Sequence, residues 1–334
     1  MLRIGIIGMG YIGRTHYEAL LHLPDVKVVA VASPKVLKIR EAYPELQAFS
    51  NWREMFRACP LDAVIVAVPN FLHEECVIDA AKAGCHILCE KPLALDGAGA
   101  ERILEAVERR RVILMVGQTL RFWPHYRRIK EMVDAGELGA IRSITAYRLT
   151  KFPPCGPWAA DPQKSGGCLL DLQVHDVDFV HWILGHPTLV HTSGIRAESG
   201  CWDHVWTSLQ YSERVAYIEG SFLMPAAWPL SFGVRVQGPK GCVEYTFSLR
   251  GDLEQREAAE HRFVFYGAEG VATTLEVPVT DAYVNQLQYF VDCVRSRQKP
   301  ALCPPEESLE VMRVMDASRR SVESCETIRL PTNS

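Results

Sequence analysis

This 334-residue sequence has no block of like charge, no low-complexity tract, no internal repeat and no C-x-x-C pair. Each absence excludes something. Without a like-charge block there is no charged tail, and a net charge of −4 argues against a broad surface for nucleic acid or anionic membrane. No apolar run is long enough to span a bilayer. The apolar start runs at once into glycines and lacks the layout of a secretory signal, so a cytoplasmic protein is expected. The 11 cysteines match no common zinc spacing, the nearest pair being Cys85 and Cys89. Their odd number and apolar settings predict reduced, mostly buried thiols.

What is present is an ordinary globular composition, 48% hydrophobic and 23% charged. The length exceeds the usual single core, which predicts two domains. Residues 2–7 are apolar and β-branched, the mark of a strand buried on both faces. Gly8-Met-Gly10-Tyr-Ile-Gly13 follows, and then a helical pattern. In that setting Gly8 permits the tight turn, Gly10 lets the backbone approach a pyrophosphate, and Gly13 allows close helix–strand packing. The helix start adds free N–H groups and a positive dipole end. Strand patterns recur at 26–32, 63–68, 86–89 and 112–116, with helical stretches between, such as 71–83 and 97–110. This alternation predicts a dinucleotide-binding α/β domain over residues 1–120, a doubly wound parallel Rossmann sheet with ligands beyond the carboxyl ends of its strands.

The residues at those ends are therefore the expected dinucleotide contacts. They are Gly8, Gly10, Tyr11, Ile12 and Gly13 in the first loop, Ser33 and Lys38 after the second strand, and Pro69, Asn70 and His73 after the third. Glu90, Lys91 and Gln118 complete the set. Ser33 stands where a carboxylate would hold the ribose hydroxyls of NAD and repel a 2′-phosphate. Lys35, Lys38 and Arg40 follow it, either as partners for that phosphate or as a solvated helix face. The cofactor is NAD or NADP, with NADP favoured. Lys91 has two readings, a solvated turn residue or a cation aimed into a cleft. Its place at a strand's carboxyl end favours the cleft, and Pro92 biases it toward extended backbone.

Near residue 120 the alternation stops. Short strand patterns at 141–149, 205–211, 216–222, 232–237 and 242–247 predict an α+β second domain over 121–334 with a mostly antiparallel open sheet. Between them, Ser165-Gly-Gly-Cys-Leu-Leu-Asp171-Leu-Gln-Val-His175-Asp-Val-Asp178 reads as a helix after the glycines, running on to Trp182. Asp171 and His175 are four apart and share a face, which Asp178 continues. Spacing alone leaves a surface pair, a metal site and acid–base work all open. Arg121, Trp123, Trp158, Gln173 and Tyr283 are candidates for substrate contacts. Trp158 lies in a Pro/Gly-rich loop, whereas Trp182 reads as core. The C-terminal part returns to helix at 281–298 and again from Pro305.

G-M-G-Y-I-G at 8–13, E-K-P at 90–92, R-F-x-P at 121–124 and D-x-x-x-H at 171–175 occur in that order along nearly the whole chain. In this the sequence resembles the glucose–fructose oxidoreductase / inositol dehydrogenase / rhizopine-catabolism family of NAD(P)-dependent oxidoreductases. The resemblance implies a Rossmann domain followed by a domain whose open sheet forms homodimers or homotetramers. It also implies that the helix near 305–322 packs back on the first domain. As implied by that resemblance, Lys91, Asp171 and His175 are the catalytic residues, no metal is needed, and a sugar, cyclitol or related polyol is the substrate. Relatives that cleave glycosides with tightly bound NAD, or that sense dinucleotide without turnover, are the alternatives. Retention of all three residues argues against a sensor.

Overall fold

The computed structural model describes residues 1–153, 156–250, 259–278 and 280–331. It forms two compact units: Met1–Phe122 with Thr280–Met312, and Trp123–Val279 with Arg313–Ser334. The division falls near the expected 120, and a later segment belongs to the first unit. Residues 280–312 return to the first unit, because the apolar stripe of the helix at Ala282–Ser296, with Leu287, Phe290 and Val291 fully buried, supplies core to that unit.

The first unit is built on six strands: β1 (Leu2–Ile7), β2 (Val26–Ala32), β3 (Gln47–Phe49), β4 (Ala63–Val66), β5 (His86–Cys89) and β6 (Leu114–Val116). All pair in parallel in the order β3-β2-β1-β4-β5-β6. This is the doubly wound sheet the alternation predicts. Ile4, Ile6 and every residue of β4 are fully buried, as strands covered on both faces must be. Between the strands run α1 (Tyr11–Leu21), α2 (Val36–Ala42), α3 (Trp52–Ala58), α4 (His73–Lys82) and α5 (Gly97–Arg110). β3 escapes a reading by pattern, since it has three residues and begins with an exposed glutamine.

The second unit carries α6 (Pro124–Asp134), β7 (Ser143–Leu149), α7 (Val174–Leu184) and strands β8 (Leu189–Arg196), β9 (Trp202–Gln210), β10 (Val215–Ser221), β11 (Leu230–Gly238), β12 (Gly241–Leu249), β13 (Glu260–Gly267), β14 (Ala272–Thr274) and β15 (Ile328–Arg329). The nine strands run in the order β14-β13-β12-β11-β7-β10-β9-β8-β15, with only β7 and β10 parallel. Burial alternates strictly along β7 and β12, so one face is core and the other is open. Two tertiary helices complete the chain: α8 (Ala282–Ser296) and α9 (Pro305–Ser324), whose first residues belong to the first unit and whose end belongs to the second. Among the described residues no helix is long and apolar enough to cross a membrane. None of the ten described cysteines is in a disulfide, and eight of them are buried; Cys155 lies outside the described residues. Burial pushes the Cys89 thiol up, which keeps it protonated.

A histidine reports on the second unit's core. His125 on α6 stacks on Tyr245 at 4.2 Å and on His261 at 5.1 Å. Burial, with a smaller contribution from His261, pushes it down to about 4. The unfolded chain therefore takes up a proton near pH 6.5 that the folded chain refuses until about pH 4. Stability from this site is complete above pH 6.5 and is lost as the pH falls toward 4. Urea midpoints measured across that window should drop more steeply for the native protein than for His125→Phe. Parallel slopes would refute the assignment.

Candidate active site

The first unit presents its ligand-binding features at the carboxyl ends of its strands. After β1 the chain turns at Gly8, whose φ is +94°. A Cβ there would lie 2.2 Å from the Ala67 carbonyl oxygen, and a Cβ at Gly13 would lie 2.0 Å from that of Gly8. Both glycines are demanded by the chain's own packing. Gly10 is different: a Cβ there would meet nothing within 4 Å. No side chain caps α1 and its first turn holds no acidic residue. An open backbone beside uncapped N–H groups, next to Tyr11 and Ile12, fits a dinucleotide pyrophosphate.

Ser33 closes β2. Its N–H donates to the Phe49 carbonyl at 2.9 Å, and its Oγ accepts from the Lys35 N–H at 3.3 Å. Lys35 and Lys38 are exposed, whereas Arg40 reaches back to the Ala48 carbonyl at 3.2 Å. Asn70, next to Pro69, and Gln118 are buried at the ends of β4 and β6. The Gln118 side-chain oxygen has no hydrogen-bond partner among the described residues. A buried acceptor left open at this position suits a donor of the dinucleotide.

Two expected contacts are held within the chain. His73 Nδ1 lies 2.7 Å from the Pro92 carbonyl oxygen and its Nε2 2.9 Å from that of Val68. The ring is 1% exposed and braces the two loops it joins. Arg121 is likewise 1% exposed. It donates to the Leu302 carbonyl at 3.0 Å and pairs with Glu307, clamping the turn at Thr119–Phe122 to the start of α9. A long cation can be spent inside the chain, and its type says nothing about which way it points.

Lys91 follows β5, half-buried, and its peptide bond to Pro92 is cis. Its N–H donates to Glu90 Oε2 at 3.3 Å. The other carboxylate oxygen of Glu90 lies 2.6 Å from His16 Nε2, with His16 fully buried. Tyr283, at the start of α8, stands edge-on to the His16 ring with centroids 5.5 Å apart. His16 was not among the expected residues. A signal existed: residues 13, 16, 17 and 20 form the buried stripe of α1, and a histidine on such a stripe needs a polar partner.

The second unit carries Asp171 and His175, and here the helix differs from the expected one. Cys168–Leu172 forms a π-helical turn, Gln173 links it on, and α7 starts at Val174. Such turns recur at functional sites. From residue 167 to residue 180 every side chain is buried except two, Asp171 and His175. Asp178 is fully buried and does not continue their face. Gln173, an expected substrate contact, has both ends of its amide bonded within the chain. It is fully buried, donates to the Ile218 carbonyl at 3.0 Å and accepts from the Thr207 hydroxyl at 2.8 Å. The π turn is further held by Asp203, which accepts the Cys168 N–H at 3.0 Å. Asp176 pairs with Arg148 of β7 through bonds of 2.9 and 3.1 Å, and Arg148 lies over the Phe232 ring. Trp123 is half-buried and donates to the Tyr245 hydroxyl at 3.0 Å beside Phe232 and Phe247. Trp182 packs on Phe179, and Trp158 sits half-buried in a short turn at Pro157–Ala160.

The glycine turn after β1 with an uncapped α1 is what a dinucleotide-dependent oxidoreductase carries in its first domain. Residues 2–118 match the GFO_IDH_MocA family, described as an oxidoreductase family with an NAD-binding Rossmann fold, and residues 126–244 match the GFO/IDH/MocA C-terminal domain. The chain belongs to this family. It is 27% identical to myo-inositol 2-dehydrogenase of Thermotoga maritima, over 98% of either chain. It is 29% identical to D-xylose 1-dehydrogenase (NADP(+)) 2 of Haloferax volcanii, over 98% of this chain and all (100%) of that one. Aldose-aldose oxidoreductase from Caulobacter crescentus, crystallised with glycerol, shares the fold with a TM-score of 0.85 at 21% identity, covering 98% of this chain and 99% of that one.

Proposed function

We propose that this protein transfers a hydride between a secondary hydroxyl of a sugar, cyclitol or related polyol and a nicotinamide dinucleotide. The observation that carries the reading is the selective exposure of Asp171 and His175 in an otherwise buried stretch. A π turn running into α7 that brings two polar side chains to the surface of a buried stretch is a device that recurs at functional sites. The full-length likeness to dehydrogenases of myo-inositol and D-xylose supports the substrate class.

The bound nicotinamide supplies the hydride acceptor or donor. The chain's own residues do the rest. Gly10, Tyr11, Ile12 and the start of α1 hold the pyrophosphate, Ser33 and Lys38 face the ribose end, and Asn70 and Gln118 offer amides. His175 takes the hydroxyl proton of the alcohol, and Lys91 donates to an oxygen on which negative charge develops. Asp171 orients the imidazole or holds a neighbouring hydroxyl. Trp158 and Tyr283 bind the polyol. The open sheet face carries Trp206 and Tyr217, 42% and 55% exposed, and serves as the surface between copies of the chain. Absorbance at the nicotinamide band, followed across a panel of cyclitols and sugars with each dinucleotide, tests the reading. Tight binding without turnover of any polyol would refute it.

Cofactor choice follows from Ser33 with Lys35 and Lys38 exposed beyond it: NADP is preferred. Ser33→Asp sets a like charge against the 2′-phosphate. It should weaken NADPH binding by at least about tenfold, the factor that 1.4 kcal/mol carries, while NADH binding holds or improves. Fluorescence titration of both dinucleotides checks this, and an unchanged ratio would remove Ser33 from the cofactor site.

A further inference from the structure

We propose that His16 is a positioning residue for the catalytic lysine: it holds the Glu90 carboxylate, and through it the backbone of Lys91. The proposal rests on the reading of Lys91 given above. It starts from a contrast between two buried histidines of the first unit. His73 has a backbone carbonyl beside each ring nitrogen, and its neutral imidazole donates to one of them. His16 is more deeply buried, yet only one nitrogen is used. Its Nδ1 has no partner among the described residues, while Nε2 makes a 2.6 Å contact to a carboxylate. An ionised carboxylate only accepts, so Nε2 carries the proton and the bond is charge-assisted. Leaving Nδ1 unmet has a cost, and the Glu90 contact is what that cost supports.

Glu90 is confined on its other sides. A Cβ at Gly117 would come within 3.2 Å of its carboxylate carbon and Oε1, so a larger residue there would crowd it. Its backbone N–H donates to the Val66 carbonyl at 2.9 Å, and its Oε2 accepts the Lys91 N–H at 3.3 Å. The carboxylate thus links α1 to the lysine's peptide, and His16 fixes it. Tyr283 closes the ring's flank. Without the imidazole, the carboxylate can rotate and release the Lys91 N–H, and the ammonium loses its aim. A displacement of about 1 Å at a catalytic group costs up to about a hundredfold in rate.

The test uses the full chain, the preferred dinucleotide and the polyol it turns over fastest. His16→Leu should lower kcat by about tenfold to a hundredfold with dinucleotide Kd changed less than about twofold. His16→Gln should restore most of kcat, because its amide N–H ends where Nε2 stood. His16→Asn ends nearer Nδ1 and should not. If His16→Leu fails to fold, the Gln and Asn variants carry the comparison, since both are polar and similar in size. Equal kcat in those two, or a loss that appears only as weaker dinucleotide binding, would overturn the proposal. Lys91→Ala in the same series separates the two readings. An inactive Lys91→Ala beside equal Gln and Asn variants rejects His16 alone, whereas an active Lys91→Ala, or a chain that turns over no polyol, rejects both.

Discussion

Lys91→Ala lowers kcat by about a hundredfold to a thousandfold and leaves dinucleotide affinity nearly intact. That is the cost of removing one preorganised donor from an oxygen on which charge develops. The ammonium is asked to do little in the ground state, where the substrate is a neutral alcohol or ketone. It acts in the transition state, so the loss falls on kcat more than on the polyol KM. The dinucleotide site draws on the glycine loop, Ser33 and the amides, none of which the substitution touches. Lys91→Arg is a strict control. The guanidinium keeps the charge but spreads it over a planar fork, and a site shaped for a compact ammonium gains little from it. Steady-state kinetics with parallel fluorescence titration decide the matter. A Lys91→Ala variant within a few fold of the native rate returns the residue to the solvated-turn reading.

His175→Ala has the second large effect, a loss of about a hundredfold to ten-thousandfold in the oxidation direction, the range for a positioned general base. Added imidazole should recover part of it. Asp171→Asn should cost less, because an amide still orients a ring or a hydroxyl while removing one charge. Both residues are carried by a turn whose neighbours are tied down: Gln173 to β9 and β10, Cys168 to Asp203, Asp176 to Arg148. Truncating His175 should therefore leave the thermal midpoint close to native, since its side chain is part-exposed while the braces remain. A large drop in stability with no specific loss of rate would make His175 structural.

Much of this was legible without coordinates. The parallel sheet was, because strands buried on both faces must be almost wholly apolar, and β1, β2, β4 and β5 are. The roles of Gly8 and Gly13 were, because their spacing is a consequence of backbone contact. The antiparallel strands of the second unit were largely legible too, by the alternation that one open face imposes. β3, β8, β13, β14 and β15 were not named from pattern; β3 and β14 are three residues each and exposed in whole or part, and β8 and β13 each carry a run of exposed residues.

The candidate site divides along a different line. Sequence by itself determined which residue types stand at the ends of strands and at which spacings: the glycine loop, Ser33, Glu90-Lys91, and Asp171 with His175. These are local matters, set by periodicity and by the backbone freedom of glycine. Only the tertiary structure decided what each polar side chain does. Arg121, His73 and Gln173 have the chemistry of ligand contacts but are consumed by carbonyls and carboxylates within the chain. His16 has the look of a helix residue like any other and turns out to meet Glu90, 74 positions away. The physical reason is that a buried polar group must find a partner wherever the fold brings one, and the distance along the chain to that partner leaves no mark on local pattern.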